Sequence, residues 1–146
     1  MIDKINIRPI TKNDYSFGFF VMQETLKEYI EKTWGWNKKI QKNYYRQNFS
    51  LKDQYIIELD TIKIGWLKYA ENIEKIEIDK IFLLPKYQNK GIGSEIITNL
   101  ITLGKSKKLS IELQVLKINI KARKFYKKLG FMEYKKTDTH IKMKLG

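Results

Sequence analysis

The chain has 146 residues, about one average domain, and its 42% apolar and 31% charged residues are typical of a globular protein. It contains no cysteine and a single histidine, His140, which excludes disulfide frameworks, cysteine nucleophiles and histidine-rich metal sites. The net charge of +13 invites a nucleic-acid hypothesis, but the lysines are spread along the whole chain, which favours a generally solvated basic surface.

The first half of the chain predicts a strand, two helices and three further strands. Asn13 and Asp14 supply capping groups for the first helix, whose apolar residues recur at spacings of three and four. Gly35 interrupts that helix and separates it from the second. In chain order, the predicted elements are a strand over 5–10, helices over 19–33 and 38–49, and strands over 55–59, 62–69 and 76–84.

The second half alternates helices with strands. An apolar stripe begins at Gly91, and Gly104 is expected to close this helix as its C-cap. A last helix carries its apolar face from Ala122 to Leu129 and is expected to end at Gly130. The remaining predicted elements are strands over 110–116, 131–135 and 139–144. The order β-α-α-β-β-β-α-β-α-β-β predicts a mixed sheet with helices packed on it, an α/β protein of mixed α+β type.

The junction between the strand over 76–84 and the next helix is the most informative segment. It reads Leu-Leu-Pro-Lys-Tyr-Gln-Asn-Lys-Gly-Ile-Gly-Ser over 83–94. Such a junction directs several free backbone N–H groups and the positive end of a helix dipole at one point. Gly91 and Gly93 allow close approach of an anion, and Gln88 and Lys90 add donors. The junction therefore suits a pyrophosphate, although an ordinary strand-to-helix turn explains two glycines equally well.

Two other phosphate loops do not fit. The dinucleotide fingerprint requires a third glycine where Ile96 stands. Gly104-Lys105-Ser106 resembles the end of a Walker loop, but Asn99 occupies the position of the required earlier glycine. A nucleoside triphosphate site is therefore not expected.

Two blocks carry a family resemblance. Residues 88–93 fit the Q/R-x-x-G-x-G/A loop, and residues 119–131 fit the block N-x-x-A-x-x-x-Y-x-x-x-G-F. With the predicted element order, they resemble the GCN5-related N-acetyltransferase (GNAT) superfamily over essentially the whole chain. Segments 34–36 and 137–140 resemble an uncharacterised bacterial branch of it.

The resemblance implies a three-layer α-β-α sandwich with a central mixed sheet of about seven strands, four helices, and splayed fourth and fifth strands. It also implies acetyl-coenzyme A as acetyl donor, bound between those two strands, and a primary amine as acceptor. In this family the main chain at Leu83 and Leu84 would bind the pantetheine arm and the acetyl carbonyl. Asn119 would contact the coenzyme, and Tyr126 would lie near its sulfur. The coenzyme-binding loop would comprise Gln88, Asn89, Lys90, Gly91, Ile92, Gly93 and Ser94.

Acetyl transfer to an amine needs a base for the amine and an acid for the leaving thiolate. The resemblance implies that Tyr126 is the acid. Tyr126 also lies on the apolar face of its predicted helix, so its ring could instead serve core packing. Glu77 is one candidate base, with Asp79 on the same strand face, although a solvated strand face is the plainer interpretation. His140 is another, because histidine titrates near neutral pH, although a lone histidine is more often structural. A water-relayed base stays open.

Trp34 and Trp36 lie in the break between the first two helices, a region that often walls the acceptor pocket in this family. Their rings fit either an amine-binding surface or a hydrophobic plug over the core. Nearby glutamates fit a solvated helix face better than an amine site. These residues are Glu24, Glu28 and Glu31.

We therefore expect one acetyltransferase domain over residues 1–146 that transfers an acetyl group to a small-molecule or peptide amine by direct attack in a ternary complex. A non-catalytic acyl-coenzyme A binding module of the same fold is the main alternative, and a basic nucleic-acid-binding protein is a weaker one. We expect no metal and no membrane partner, and a homodimer stays open. Because no apolar run reaches membrane-spanning length and the first residues do not form a secretory signal, we expect a cytoplasmic protein.

Overall fold

The structure of the chain is a computed structural model that describes residues 4–146. Seven strands and four helices follow one another in the predicted order. The strands are β1 (Ile5–Pro9), β2 (Gln54–Leu59), β3 (Ile62–Glu71), β4 (Lys75–Leu83), β5 (Ser110–Leu116), β6 (Met132–Lys136) and β7 (His140–Leu145). The helices are α1 (Tyr15–Thr33), α2 (Lys38–Asn48), α3 (Ile92–Lys107) and α4 (Ile120–Lys128).

The strands form one sheet in the order β1-β2-β3-β4-β5-β7-β6. β4 and β5 are parallel, whereas β1 with β2, β2 with β3, β5 with β7, and β6 with β7 are antiparallel. The prediction of a mixed sheet of seven strands with four helices is therefore confirmed. The chain divides into two compact units, one running to Lys68 and resuming over Lys80–Lys90, the other comprising Tyr69–Asp79 and Gly91–Gly146.

The core of the first unit lies under the β2–β3 hairpin. Ile56 of β2 lies opposite Trp66 of β3, and both side chains are buried. The Trp66 indole N–H donates to the buried Gln54 side-chain oxygen at 3.0 Å, so the polar atoms enclosed with the ring are paired. The residues of α1 and α2 that complete this core recur at helical spacing and include Val21, Met22 and Tyr45.

Asp14 caps the 3-10 turn Lys12–Asp14 that leads into α1, because its carboxylate accepts from the Thr11 N–H, but it does not cap α1 itself. Its buried carboxylate instead accepts two bonds from the Arg8 guanidinium, at 2.9 and 3.0 Å, and an ion pair from Lys63 at 2.7 Å. It also accepts from the Thr11 N–H at 2.8 Å. These donors, Arg8 first, hold the pKa of Asp14 well below its ordinary value.

The second unit is built from the parallel β4–β5 pair, the β5–β7 and β6–β7 pairs, and helices α3 and α4. Ile76 and Ile78 of β4 lie opposite Ile111 and Leu113 of β5. All four side chains are buried. The apolar stripe of α3 is buried as predicted, and it comprises Ile92, Ile96, Ile97 and Leu100.

The predicted end of α3 is wrong. The helix continues through Gly104 to Lys107, and Lys108 ends it in the left-handed conformation, with a φ of 58°. Gly104 serves packing instead: a Cβ there would lie 3.0 Å from the Leu109 carbonyl oxygen and 3.2 Å from the Ile111 side chain. Glycine is thus required by the close approach of the following segment, and the turn comes four residues later.

The ends of α4 agree with the prediction. The Asn119 side-chain oxygen accepts from the Ala122 N–H at 3.0 Å and caps the first turn. Gly130 follows the helix with a φ of 105°, a conformation that glycine adopts readily. An ion pair of 2.9 Å between Arg123 of α4 and Glu133 of β6 joins the helix to the strand that follows it.

Candidate active site

The predicted donor loop connects β4 to α3. A short 3-10 turn, Pro85–Tyr87, follows β4, and α3 begins at Ile92. Gly91 is the N-cap, with a φ of 82° and no side-chain capping bond. Asn89 also has a positive φ, 60°, which asparagine tolerates better than most residues. The glycine predicted from the motif therefore occupies a position that needs its conformational freedom.

The first turn of α3 presents open N–H groups. Those of Ile92, Gly93 and Ser94 make no hydrogen bond within the described residues 4–146, as expected at a helix start without a capping side chain. The dipole of this long helix adds partial positive charge at the same point, and exposed Lys90 adds a full charge. Together these groups suit an anion with several oxygens, such as a pyrophosphate.

The end of β4 is already bonded within the protein. The Leu84 N–H donates to the Ile64 carbonyl at 2.9 Å, and the Leu84 carbonyl accepts from Tyr87 at 2.8 Å. The Gln88 side-chain amide donates to the Leu83 carbonyl at 2.8 Å. Gln88, predicted as a donor for the pyrophosphate, thus has one N–H directed at the strand, a contact that the motif does not reveal.

The parallel pairing of β4 with β5 stops early. It covers Lys75 to Ile78 opposite Ser110 to Leu113, although both strands continue further. Beyond that point β5 pairs with β7, where Leu116 lies opposite His140.

Tyr126, the predicted acid, is buried on α4. Its ring packs edge-on against Phe125 and Phe131, with centroids 5.0 and 5.6 Å away. Burial raises the pKa of the Tyr126 hydroxyl, so the phenol keeps its proton at neutral pH. The hydroxyl has no hydrogen-bond partner among residues 4–146.

Asn119 lies at the start of α4, just after β5. Its side-chain oxygen is used by the helix cap, and its Nδ2 group has no partner within the described chain. The same side chain therefore combines an observed structural role with an amide that remains available as a donor.

The two predicted bases lie at different levels of the sheet. Glu77 is exposed, and its carboxylate lies 3.7 Å from the Lys75 ammonium. In the sheet it lies opposite Glu112 of β5. His140 is opposite Leu116 at the carboxyl end of the same strand. From Glu112 to Leu116 the strand rises about 13 Å, so Glu77 and His140 do not share one proton site.

His140 is half-buried at the start of β7. Its Nδ1 lies 2.8 Å from the Thr139 hydroxyl, and burial lowers the pKa of the imidazole below its ordinary value. The ring is therefore neutral at pH 7 and able to accept a proton. Lys117, just after β5, donates its N–H to the Thr139 carbonyl at 2.8 Å, which ties this histidine to the β5 end where Asn119 also lies.

The two predicted acceptor residues flank Gly35, whose φ is 81°. Trp34 ends α1 and is 58% exposed. Trp36 is half-buried, with the Lys27 ammonium 5.8 Å from its ring centroid. The glutamates of α1 line an exposed depression with Lys27 and Lys32, and Glu28 pairs with Lys32 at 3.0 Å. Their surroundings agree with a solvated helix face.

Gly65 is the site-related residue that the sequence pattern missed. It lies in β3, and a Cβ there would collide with the main chain of β4 at Phe82. An isolated glycine inside a predicted strand is a known signal of close backbone approach. That signal was present in the sequence at residues 62–69.

Over residues 4–146, no helix is long and apolar enough to cross a membrane. In the same part of the chain, no group of three or more histidine, cysteine, aspartate or glutamate side chains is arranged to hold a metal ion.

The sequence profile of the Acetyltransferase (GNAT) family matches residues 21–131, which is more than half of the chain. The chain belongs to the GNAT acetyltransferase family. The fold predicted from the two motifs is thereby confirmed, with its mixed sheet, its four helices and its parallel β4–β5 pair.

One relative of this GNAT protein comes from an archaeon. An uncharacterised N-acetyltransferase of Methanocaldococcus jannaschii is 28% identical over 149 residues, covering 91% of this chain and 63% of the relative. The chain thus spans 63% of the length of that relative.

Solved structures share the fold. The PaiA N-acetyltransferase of Thermoplasma acidophilum, in complex with coenzyme A, aligns with a TM-score of 0.79 and 20% identity, covering 97% of this chain and 98% of that one. An acetyltransferase of Thermus thermophilus aligns with a TM-score of 0.74 and 14% identity, covering 97% and 96% of the two chains.

Proposed function

We propose that the protein transfers the acetyl group of acetyl-coenzyme A to a primary amine by direct attack in a ternary complex. The observation that carries this proposal is the uncapped start of α3, where Gly91 has a positive φ and the following N–H groups are open. Membership of the GNAT family supports it. A structure of the same fold contains coenzyme A, which supports this donor.

The donor is held in two places. The N–H groups of residues 91–94 bind the pyrophosphate, and Lys90 contributes charge. Because both main-chain groups of Leu84 are already bonded, we assign the donor's acyl and pantetheine contacts on β4 to the N–H of Leu83. Asn119 offers its Nδ2 group to the coenzyme from the start of α4.

The chemistry requires two proton movements. The neutral amine attacks the thioester carbonyl carbon, and the oxyanion that forms is stabilised by a main-chain N–H. When the C–S bond breaks, the thiolate takes the proton of the Tyr126 hydroxyl, which burial keeps protonated at neutral pH. The amine's excess proton passes to a base and then to solvent, and the Tyr126 phenolate takes a proton back from solvent.

We assign the base to His140. It lies at the carboxyl end of β5, the end from which Asn119 and α4 start, whereas Glu77 lies about 13 Å further back along the strands. Its neutral imidazole accepts a proton at pH 7, because burial lowers its pKa. Glu77, acting through water, is the competing assignment that the pH profiles below distinguish.

The acceptor is a small-molecule or peptide amine bound beside the break between α1 and α2. Trp34 supports this placement, because a large apolar ring that is 58% exposed offers contact area to a ligand. Trp36 already holds the Lys27 ammonium over its ring, so it is able to hold a cation.

An amine panel with acetyl-coenzyme A, scored by thiol release, tests the proposal. Release that depends on one amine class supports acetyl transfer and identifies the acceptor. Coenzyme binding without release from any amine would instead indicate a non-catalytic module of the same fold. Salt-sensitive retention on DNA without coenzyme binding would indicate a nucleic-acid-binding protein.

A further inference from the structure

Gly65 has a buried position in the middle of β3, opposite Ile57 of β2. Its φ is not positive, so an alanine could adopt its backbone conformation. Glycine therefore provides space here and not conformational freedom.

The space is filled by the main chain of β4. A Cβ on Gly65 would collide with the carbonyl oxygen of Phe82, and it would lie 3.0 Å from the Leu83 side chain and 3.2 Å from the Ile57 side chain. Non-bonded heavy atoms pack at roughly 3.5 Å, so the first of these contacts is a collision. A side chain could rotate away, but a carbonyl oxygen moves only with its strand.

The two residues that follow Phe82 are also bonded within the protein. The Leu84 N–H is bonded to the Ile64 carbonyl at 2.9 Å, next to Gly65 in β3. The Leu83 carbonyl is bonded to the Gln88 side chain at 2.8 Å. Residues 82–84 are thus held against β3 by the space at Gly65 and a main-chain bond, and against the following loop by the Gln88 side chain.

We propose that Gly65 is a positioning residue for the coenzyme: its missing side chain lets residues 82–84, at the end of β4, lie where they receive the acyl and pantetheine part of the donor. This inference rests on the proposed function, which assigns those contacts to the Leu83 main chain. A methyl group at Gly65 displaces that main chain by on the order of 1 Å. Such a displacement weakens binding strongly where the protein must hold the ligand in one precise orientation.

The effect depends on which part of the donor is bound. The pyrophosphate is assigned to the start of α3, whereas the atoms that a Cβ on Gly65 would meet first belong to Phe82, Leu83 and Ile57. Gly65→Ala should therefore weaken acetyl-coenzyme A by at least about tenfold in Kd. It should leave adenosine 3′-phosphate 5′-diphosphate, which carries the pyrophosphate and lacks pantetheine, bound as by the wild type.

Gly104→Ala is the matched control. Gly104 is also buried with no positive φ, and its Cβ would lie 3.0 Å from the Leu109 carbonyl oxygen. It belongs to α3, well away from its first turn. Titration calorimetry of wild type and both variants with the two ligands, with melting temperatures measured alongside, separates positioning from packing. Gly65→Ala should melt earlier and lose affinity for acetyl-coenzyme A. Gly104→Ala should keep that affinity whatever its melting temperature, because alanine favours a helix interior while crowding the Leu109 carbonyl oxygen.

Gln88→Leu supplies a second variant in case Gly65→Ala does not fold. It removes the bond to the Leu83 carbonyl and should weaken acetyl-coenzyme A more than the pantetheine-free ligand. Equal affinity of wild type and the folded Gly65→Ala variant for acetyl-coenzyme A would overturn the inference. So would a parallel loss of both ligands. A wild type that binds neither ligand contradicts the proposed function instead.

Discussion

The Tyr126 ring is tightly packed, and its hydroxyl has no hydrogen-bond partner among residues 4–146. Tyr126→Phe keeps the ring and its packing volume, so the protein should fold and bind coenzyme A nearly as before. If the hydroxyl protonates the leaving thiolate, turnover should fall by about 100- to 10,000-fold. Steady-state thiol release, with coenzyme affinity measured separately, checks this expectation.

Tyr44→Phe provides the comparison for that variant. Tyr44 lies on α2, and its ring is 54% exposed, so the same atom is removed from a solvated position. Turnover should be unchanged there. Near-normal turnover in Tyr126→Phe, under conditions where chemistry limits the rate, would mean that Tyr126 is a packing residue and that the thiolate leaves unaided.

The two candidate bases predict different pH profiles. If His140 accepts the proton, the rate should rise with pH through a pKa below the ordinary value of 6.5, since burial lowers the pKa of His140. His140→Gln should abolish that rise and lower the rate at neutral pH, whereas Glu77→Gln should preserve both. The reverse pattern would assign the proton to Glu77, and two unchanged profiles would leave a water relay.

At the scale of whole elements, the β4–α3 junction depends on one residue conformation. Gly91 has a φ of 82° with open space around its missing Cβ, so Gly91→Val introduces backbone strain without a steric clash. The strain should rotate the N–H groups that point at the pyrophosphate. Acetyl-coenzyme A should then no longer raise the melting temperature of the variant, although it raises that of the wild type by mass action.

Gly35→Val is an unusually close match for this experiment. Gly35 has a φ of 81°, and no atom lies within 4 Å of the position of its missing Cβ. It should lose a similar amount of stability and keep its response to acetyl-coenzyme A. A Gly91→Val protein that responds to the coenzyme as the wild type does would contradict the assignment of this loop.

The helix ends show what local sequence determines. The end of α4 at Gly130 was predictable because a glycine with positive φ is the ordinary way to leave a helix. The end of α3 was not, because a glycine required for close packing and a glycine required for a turn look alike in a sequence. Gly104 is a glycine of close packing, and the turn that ends α3 is made by Lys108, which is not a glycine.

For the molecule as a whole, element order and the two motif blocks were predictable because both depend on short-range spacing. Contacts between distant residues were not. Arg8 and Lys63 meet at Asp14 from two different strands, and no local pattern marks that pair of partners. Likewise, the motif identifies Gln88 but not the Leu83 carbonyl that its side chain reaches.

Asp14 makes the stability of the molecule depend on pH. Its pKa in the folded chain is lowered below the ordinary 3.8, mainly by Arg8, so its contribution is complete above pH 3.8 and is lost as pH falls towards the folded pKa. Asp14→Asn leaves two cations without their buried partner. It should cost about 2–3 kcal/mol at pH 7, at the low end for a buried pair because Arg8 and Lys63 are partly exposed.

Urea unfolding of the wild type and of Asp14→Asn, at pH 7 and at pH 3, measures this contribution. The difference in free energy of unfolding should be largest at pH 7 and smaller at pH 3, because protons then compete for Asp14 in the unfolded wild type. Asp53→Asn is the control: Asp53 lies in the turn before β2. It should change stability little at either pH. A difference between wild type and Asp14→Asn that is the same at both pH values would show that Asp14 stabilises the fold through packing and not through its charge.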